Sequence, residues 1–429
     1  MADTSALIPL IRAYAHHLVT VDPDDDLHDL NPLARIAGDA RIVALGESTH
    51  GTREFFLLRH RMIRFLVTEL GFTLVGIEAG WPECLAINAY VMDGVGDPAA
   101  ALAQVGYWIW DTEEFRAVIE WLREHNAPLP RNRRVQVFGF DAAFAPIATK
   151  TIYDYLAVVD PVYANSIMPL RDAIGAVQPW ELPENGRIVS KAIEALRDRL
   201  LAEQADYAAA SSPGEWTIAY RCVETLHQVD GRRRASDDAL QFTVRDTAMA
   251  SNVSRQLNQA GSAAKAVVLA HNGHVTRDIR GLFDPSITTM GQDLSGAYND
   301  DFVTIGFAFG QGGFQAIVDD QSDNARLDAV TVGPPPSGSL DAILMEISHG
   351  PALLLDLRAL SSNLREWLGR ERISREVGAV FSGAGEMHAR VFPGARYDAI
   401  AFVRHTSRAR PTPTGVRPYR LTGTSSGAD

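Results

Sequence analysis

The sequence predicts an α/β protein: a mostly parallel central sheet with helices on both faces and a large helical insertion. Two observations carry this. Short apolar runs ending in small or polar residues alternate with helical spacing through residues 1–143 and return over residues 263–406. Between them, residues 144–262 lose the strand signal and show only helical spacing broken by prolines. We therefore divide the chain into an N-terminal α/β part (1–143), a helical insertion or lid (144–262), the remainder of the α/β core (263–406) and a disordered tail (407–429).

Taken in order, Leu7, Ile8, Leu10, Ile11, Tyr14, Ala15 and Leu18 have the spacing of one amphipathic helix over residues 5–21. The acidic stretch Asp22 to Asp29, with Pro23 inside it, reads as a solvated loop. Ile42-Val43-Ala44-Leu45 is a buried strand bounded by Gly46. A polar turn follows, then a helix with Phe55, Leu58, Met62, Phe65 and Leu66 on one face, stopped by Gly71. Thr73 to Ile77 is a second strand, ending in Glu78. Arg134 to Phe138 is a third, ending in Gly139-Phe140-Asp141. Gly106 to Asp111 is an aromatic loop between two helices. In the insertion, Ile193, Leu196 and Leu200, and then Ile218, Val223 and Leu226, sit at helical spacing. Ala266 to Leu269 is a strand ending in Ala270-His271-Asn272-Gly273-His274. Phe302 to Phe309 and Gln315 to Val318 read as a strand pair joined at Gly310–Gly313. Leu353 to Leu357 and Ala399 to Val403 are further strands, and the tail from Ser407 is rich in Pro, Arg, Thr, Ser and Gly.

A formal charge of −13 disfavours nonspecific nucleic-acid binding, which needs a basic footprint. No apolar stretch reaches the length of a membrane span, and the N-terminus lacks the basic and apolar regions of a signal peptide, so a cytoplasmic protein is expected. Cys84 and Cys222 are too few for a disulfide framework and read as buried thiols. Without heptads or an exposed apolar stripe, a monomer is expected.

Parallel strands end on one side of the sheet, so polar residues at four strand ends can share a cleft although they are far apart in sequence. These are Glu47 and His50, Glu78, Asp141, and His271 with His274. A carboxylate three positions from an imidazole on a turn suits an orienter and a general base. The same turn opens a helix, so His50 could equally be a capping or core histidine. His271 and His274 flank Asn272-Gly273, a tight turn that exposes both. Arg59 lies in the second turn of the following helix, within reach of the Glu47–His50 turn, although a surface ion pair would also explain it. Trp108 and Trp110 read as core residues or, as a tryptophan pair in a loop, as an apolar pocket wall, where Trp110 is the candidate substrate contact; Arg245 beside Asp246 suits a substrate contact or a structural pair. Asp141 reads as a helix cap and stays outside the catalytic set. Gly46-Glu47-Ser48-Thr49-His50 looks like a nucleophile elbow but has His where the second Gly belongs. No phosphate loop or complete dinucleotide fingerprint is present, and no cofactor is expected.

These pieces together resemble the erythromycin esterase family: Gly46-Glu47-Ser48-Thr49-His50-Gly51-Thr52-Arg53-Glu54-Phe55 with Arg59, Gly76-Ile77-Glu78, Trp110-Asp111-Thr112, Phe138-Gly139-Phe140-Asp141, the run Arg245 to Asn252, Ala270 to His274, Met290-Gly291 and Arg404-His405-Thr406. The resemblance implies an α/β core with a helical insertion and a hydrolase that opens the lactone of macrolides such as erythromycin. It implies His50 as the base acting on water, Glu47 and Glu78 orienting that base or the water, and Arg59, His271 and His274 completing the cleft. The Gly-Glu-x-x-His motif also resembles a wider superfamily with metal-dependent peptidases. That leaves open a metal-dependent hydrolase, or a binding protein for a polysaccharide or polyketide.

Overall fold

The computed structural model describes residues 7–143, 145–175, 186–281, 284–318, 326–383, 385 and 387–413. Its strands are β1 (Ala15–Leu18), β2 (Ile42–Leu45), β3 (Leu74–Gly80), β4 (Gln136–Asp141), β5 (Ala266–Leu269), β6 (Phe302–Val318), β7 (Arg326–Val332), β8 (Ala352–Asp356), β9 (Arg372–Arg375), β10 (His388–Val391) and β11 (Ala399–Thr406). Nine of them form one sheet in the order β1-β8-β11-β6-β2-β5-β3-β4, with β7 paired to β6. From β4 to β11 the neighbours run parallel, and only β1, β8 and β7 add antiparallel contacts. The expected mostly parallel α/β architecture is what the chain adopts.

The central strand is β2, held on one side by β5 and on the other by β6. All four of its residues are buried, as a continuous apolar run must be when both faces are covered. Val43 and Leu45 face a core that includes Phe55, Leu58 and Met62 of the helix Arg53–Leu70. Ile42 and Ala44 face a second core containing Val253, Val275, Met290 and Leu294. The connections after β2 and after β5 therefore leave toward opposite faces, which opens a crevice at the carboxyl ends of these two adjacent strands. Gly71 ends the helix after β2 in the left-handed conformation, φ 71°, where a side chain is disfavoured.

Three expectations need correction. The N-terminal stretch is not one helix: Ile8–Arg12 is helical, and Ala15–Leu18 is an edge strand antiparallel to β8, because sheet pairing overrides the local spacing. Phe302–Val318 is one 17-residue strand rather than a hairpin. Its first part pairs in parallel with β11, and from Gly312 onward it pairs antiparallel with β7, so the glycines are where a single strand changes partners. Disorder from residue 407 onward is not what the first of those residues show. Residues 407–412 lie in the body, where Ser407 bonds Glu54 and Pro411 bridges Thr112, while 414–429 lie outside the described residues.

Among its described residues the insertion is helical, over Pro146–Val159, Pro161–Gly175, Gly186–Ala202, Gln204–Ala210, Pro213–Arg233 and Asp238–Ala260. Ile152, Leu156, Ile193, Leu196, Val223 and Leu226 give it a core of its own. Its last helix, Asp238–Ala260, belongs to the sheet instead, since Met249, Val253 and Leu257 pack with Phe138 and Phe140 of β4. No helix among the described residues is long and apolar enough to cross a membrane.

Candidate active site

The crevice beyond β2, β3 and β5 collects most of the singled-out residues. Gly46, at the end of β2, packs so closely on the Asn272 amide that a side chain there would collide with it. The chain then turns through Glu47 to Thr52 before the helix at Arg53. On this turn Glu47 Oε1 lies 2.8 Å from His50 Nδ1, and Glu47 Oε2 accepts from Arg59 Nη1 at 2.6 Å. A carboxylate accepts only, so Nδ1 carries the proton, and Nε2 is left with no protein partner among the described residues.

Arg59 is placed differently from expectation. Its side chain is 1% exposed, and besides Glu47 it donates to the carbonyls of Leu45, Gly46 and Ala270, the carboxyl ends of β2 and β5. It braces the floor beneath the turn and does not open into the cleft. Position within the helix predicted its reach but not its direction.

Glu78 ends β3. Its Oε1 accepts from Arg245 Nη2 at 2.9 Å and lies 3.3 Å from His274 Nε2, while Oε2 accepts from the His271 backbone N–H at 2.9 Å. Burial alone would push this carboxyl up, but the charges of His274 and Arg245 hold it well below the carboxylate range. Glu78 is therefore an ionised anchor.

His274 lies between two carboxylates, Nδ1 2.7 Å from Asp246 Oδ1 and Nε2 facing Glu78. Burial opposes its charge, yet these carboxylates raise it to about 10. Burial also raises Asp246, but its Oδ2 accepts from the Met290 backbone N–H, so we place the proton on the imidazole. With both ring nitrogens then donating, the 3.2 Å approach of Arg245 Nη1 to His274 Nε2 is a contact between cations, and Nη1 has no acceptor there.

His271 behaves oppositely. Burial above all holds it well below its ordinary value, and as a neutral ring it donates Nε2–H to the Val377 carbonyl while Nδ1 accepts from Gly273 N–H. Its ring centroid lies 4.9 Å from that of His50. The ring nitrogens of His271 and His274 are thus committed to protein partners, and no group of three or more His, Cys, Asp or Glu side chains among the described residues is arranged to hold a metal ion.

Trp110 is not a pocket wall. It is 1% exposed, packs on Phe115 and Phe56, and donates Nε1–H to the Glu78 carbonyl at 2.9 Å. Trp108 is the tryptophan beside the imidazole, edge-on to His50 with centroids 6.4 Å apart. Arg245, expected to contact substrate, forks onto Asp141 at 2.7 and 2.9 Å as well as reaching Glu78. Asp141 reads in sequence as a helix cap and Asp246 as half of a structural pair with Arg245, so neither enters the expected catalytic set. The available signal was position: Asp141 ends β4 beside Glu78, and Asp246 adjoins Arg245. Ser48 is wholly buried with no partner for its Oγ among the described residues, so the broken elbow presents no accessible nucleophile.

The comparisons with known proteins agree with this fold. The family model described as Erythromycin esterase matches residues 67–406, an interval that holds Glu78, Asp141, Arg245, Asp246, His271 and His274 and begins after the His50 turn. Erythromycin esterase type II of Escherichia coli is 27% identical over 347 residues, covering 74% of this chain and 81% of its own. A Bacillus cereus protein of known crystal structure is 22% identical with a TM-score of 0.81, covering 96% of this chain and 100% of its own. An erythromycin esterase EreC mutant in its open conformation is 17% identical with a TM-score of 0.68, covering 92% and 98%. With the family model spanning most of its length, this chain belongs to the erythromycin esterase family.

Proposed function

We propose that this hydrolase opens the lactone ester of a macrolide such as erythromycin with water activated by His50, and that this chemistry confers resistance to the antibiotic. The observation that carries the reading is the His50 tautomer. Glu47, itself held by Arg59, takes Nδ1–H and leaves Nε2 as a bare acceptor. A water there loses its proton to Nε2 as its oxygen attacks the lactone carbonyl carbon. Glu47 stabilises the imidazolium that forms. Collapse of the tetrahedral intermediate breaks the ring C–O bond, and the alkoxide takes its proton from His50.

The oxyanion needs a donor outside the existing network. Arg59 spends its donors on Glu47 and main-chain carbonyls, and His274 spends both of its own on carboxylates. Arg245 Nη1 is a cationic donor with no acceptor among the described residues, and such a group contributes about 3–4 kcal/mol to similar transition states. Asp141, Glu78 and Asp246 then hold Arg245 and the His274 cation in place. The net charge of −13 also favours macrolides carrying a cationic amino sugar.

The test is mass spectrometry of erythromycin and larger macrolides after incubation with metal-stripped enzyme. A product heavier by one water, absent with His50→Ala, is the expected result. No conversion of any macrolide would sink the substrate assignment, and conversion only after metal is restored would sink the mechanism.

A further inference from the structure

A second cavity, of about 250 Å³, lies at the outer edge of the sheet. It is bounded by the start of β4, the helix Leu85–Asp93, and the helices Pro213–Arg233 and Asp238–Ala260. Gln256 lies ten positions along its helix from Asp246, which at 1.5 Å per residue is roughly 15 Å from the catalytic crevice. Nothing in the proposed mechanism uses it.

Its walls have a definite chemistry. Arg221 rests over the Trp81 ring, 3.7 Å from the centroid. Its Nη1 donates to Gln256 Oε1 and Gln259 Oε1, each at 3.2 Å. Those acceptors are neutral amides, and no carboxylate among the described residues pairs with this guanidinium. Nε and Nη2 have no protein partner among the described residues, and neither is sealed from solvent. Burial and the nearby Arg255 work against the Arg221 charge, lowering it to about 10, so it remains a cation at neutral pH. Arg255 has its own carboxylate, Glu224, at 3.2 Å.

A half-buried cation with one open edge of two parallel N–H groups matches a carboxylate, which accepts in a bidentate fork. Asn88, Gln256 and Gln259 supply amide groups for the neutral part of a ligand. A phosphate dianion fits less well, because it would bring two charges to one uncompensated cation. We propose that this cavity is a binding site for a small organic carboxylate bearing hydroxyl or amide groups, held through the open Nε–Nη2 edge of Arg221. Bound there, the ligand bridges the insertion helix Pro213–Arg233 to the edge of the sheet.

The probe is D-glucuronate, with methyl β-D-glucoside as its uncharged counterpart, followed by calorimetry and saturation-transfer NMR on the full chain. One glucuronate per chain should bind, with the glucoside at least ten-fold weaker. Arg221→Met should weaken glucuronate at least ten-fold. If that variant does not fold, Ala260→Phe, at an exposed lining position, should abolish binding by filling the cavity. No binding of glucuronate, equal binding of the glucoside, or binding unchanged in either folded variant would each overturn the proposal. None of these readouts depends on macrolide turnover.

Discussion

Glu47 and His50 stand three positions apart on one turn, and the 2.8 Å contact between Oε1 and Nδ1 decides which nitrogen of the imidazole faces the crevice. Replacing the carboxylate by an amide lets either tautomer form. Glu47→Gln should fold normally and lose about 10²–10⁴-fold in kcat, the usual share of a positioned base. His50→Ala should lose at least as much. Both are read from initial rates of ring opening, with circular dichroism as the folding control. Glu47→Gln with wild-type kcat would remove the tautomer argument.

Arg59 offers a contrast, since its effect should fall on stability as well as rate. Arg59→Met leaves Glu47 buried beside three main-chain carbonyls that have lost a donor, and breaking such a pair costs about 3–5 kcal/mol. Arg59→Lys keeps the charge but cannot reach Glu47 and the carbonyls together, so it should recover only part of that loss. Urea denaturation measures both. Equal stability of wild type and Arg59→Met would show that the brace carries no load.

Much of this was legible because strand ends are where periodicity breaks. The apolar runs before Glu47, Glu78 and His271 located three neighbouring strands of the sheet, and a parallel sheet brings their ends together. Direction was not legible. Trp108 and Trp110 are two positions apart in an irregular loop, where no period says which ring faces His50 and which supports the Glu78 main chain. Asp141 looks like a cap, and Asp246 like half of a local pair, until the partner, Arg245 or His274, arrives from far along the chain. β1 was read as helix for the same reason: its partner β8 lies over 300 residues away.

The two carboxylates around His274 hold it as a cation, and removing one should change its titration. In wild type the imidazole should remain protonated across neutral pH, titrating near 10. Asp246→Asn should bring that midpoint down and lower kcat by about ten-fold or more, as the contact with Arg245 relaxes. Nitrogen-15 NMR of labelled histidine reads the midpoint. A wild-type His274 that titrates below 7 would contradict the cation assignment.

The two tryptophans should separate into binding and folding. Trp108→Ala takes an apolar face from beside His50 and should raise KM for a macrolide more than it changes stability. Trp110→Phe strands the Glu78 carbonyl without its 2.9 Å donor and should cost about 1–3 kcal/mol. Steady-state kinetics and thermal melts on both variants distinguish the roles. A KM effect confined to Trp110→Phe would reverse the assignment.

Glu83 gives a prediction in pH. It is 2% exposed, accepts one bond from the Ile147 backbone N–H, and leaves Oε2 with no partner among the described residues. Burial pushes its carboxyl up from 4.5 to about 7. A folded-state value above the unfolded one means that the neutral acid favours the fold. This contribution is fully present below pH 4.5 and is lost as pH rises through about 7. Glu83→Gln keeps the shape of the neutral acid and cannot ionise. It should match wild type near pH 4.5 and exceed it at pH 8 by on the order of 2 kcal/mol, the scale of a raised pKa of this kind. Denaturation curves at the two pH values decide it. A Glu83→Gln chain less stable than wild type at pH 8 would mean that the ionised carboxylate is satisfied where it lies.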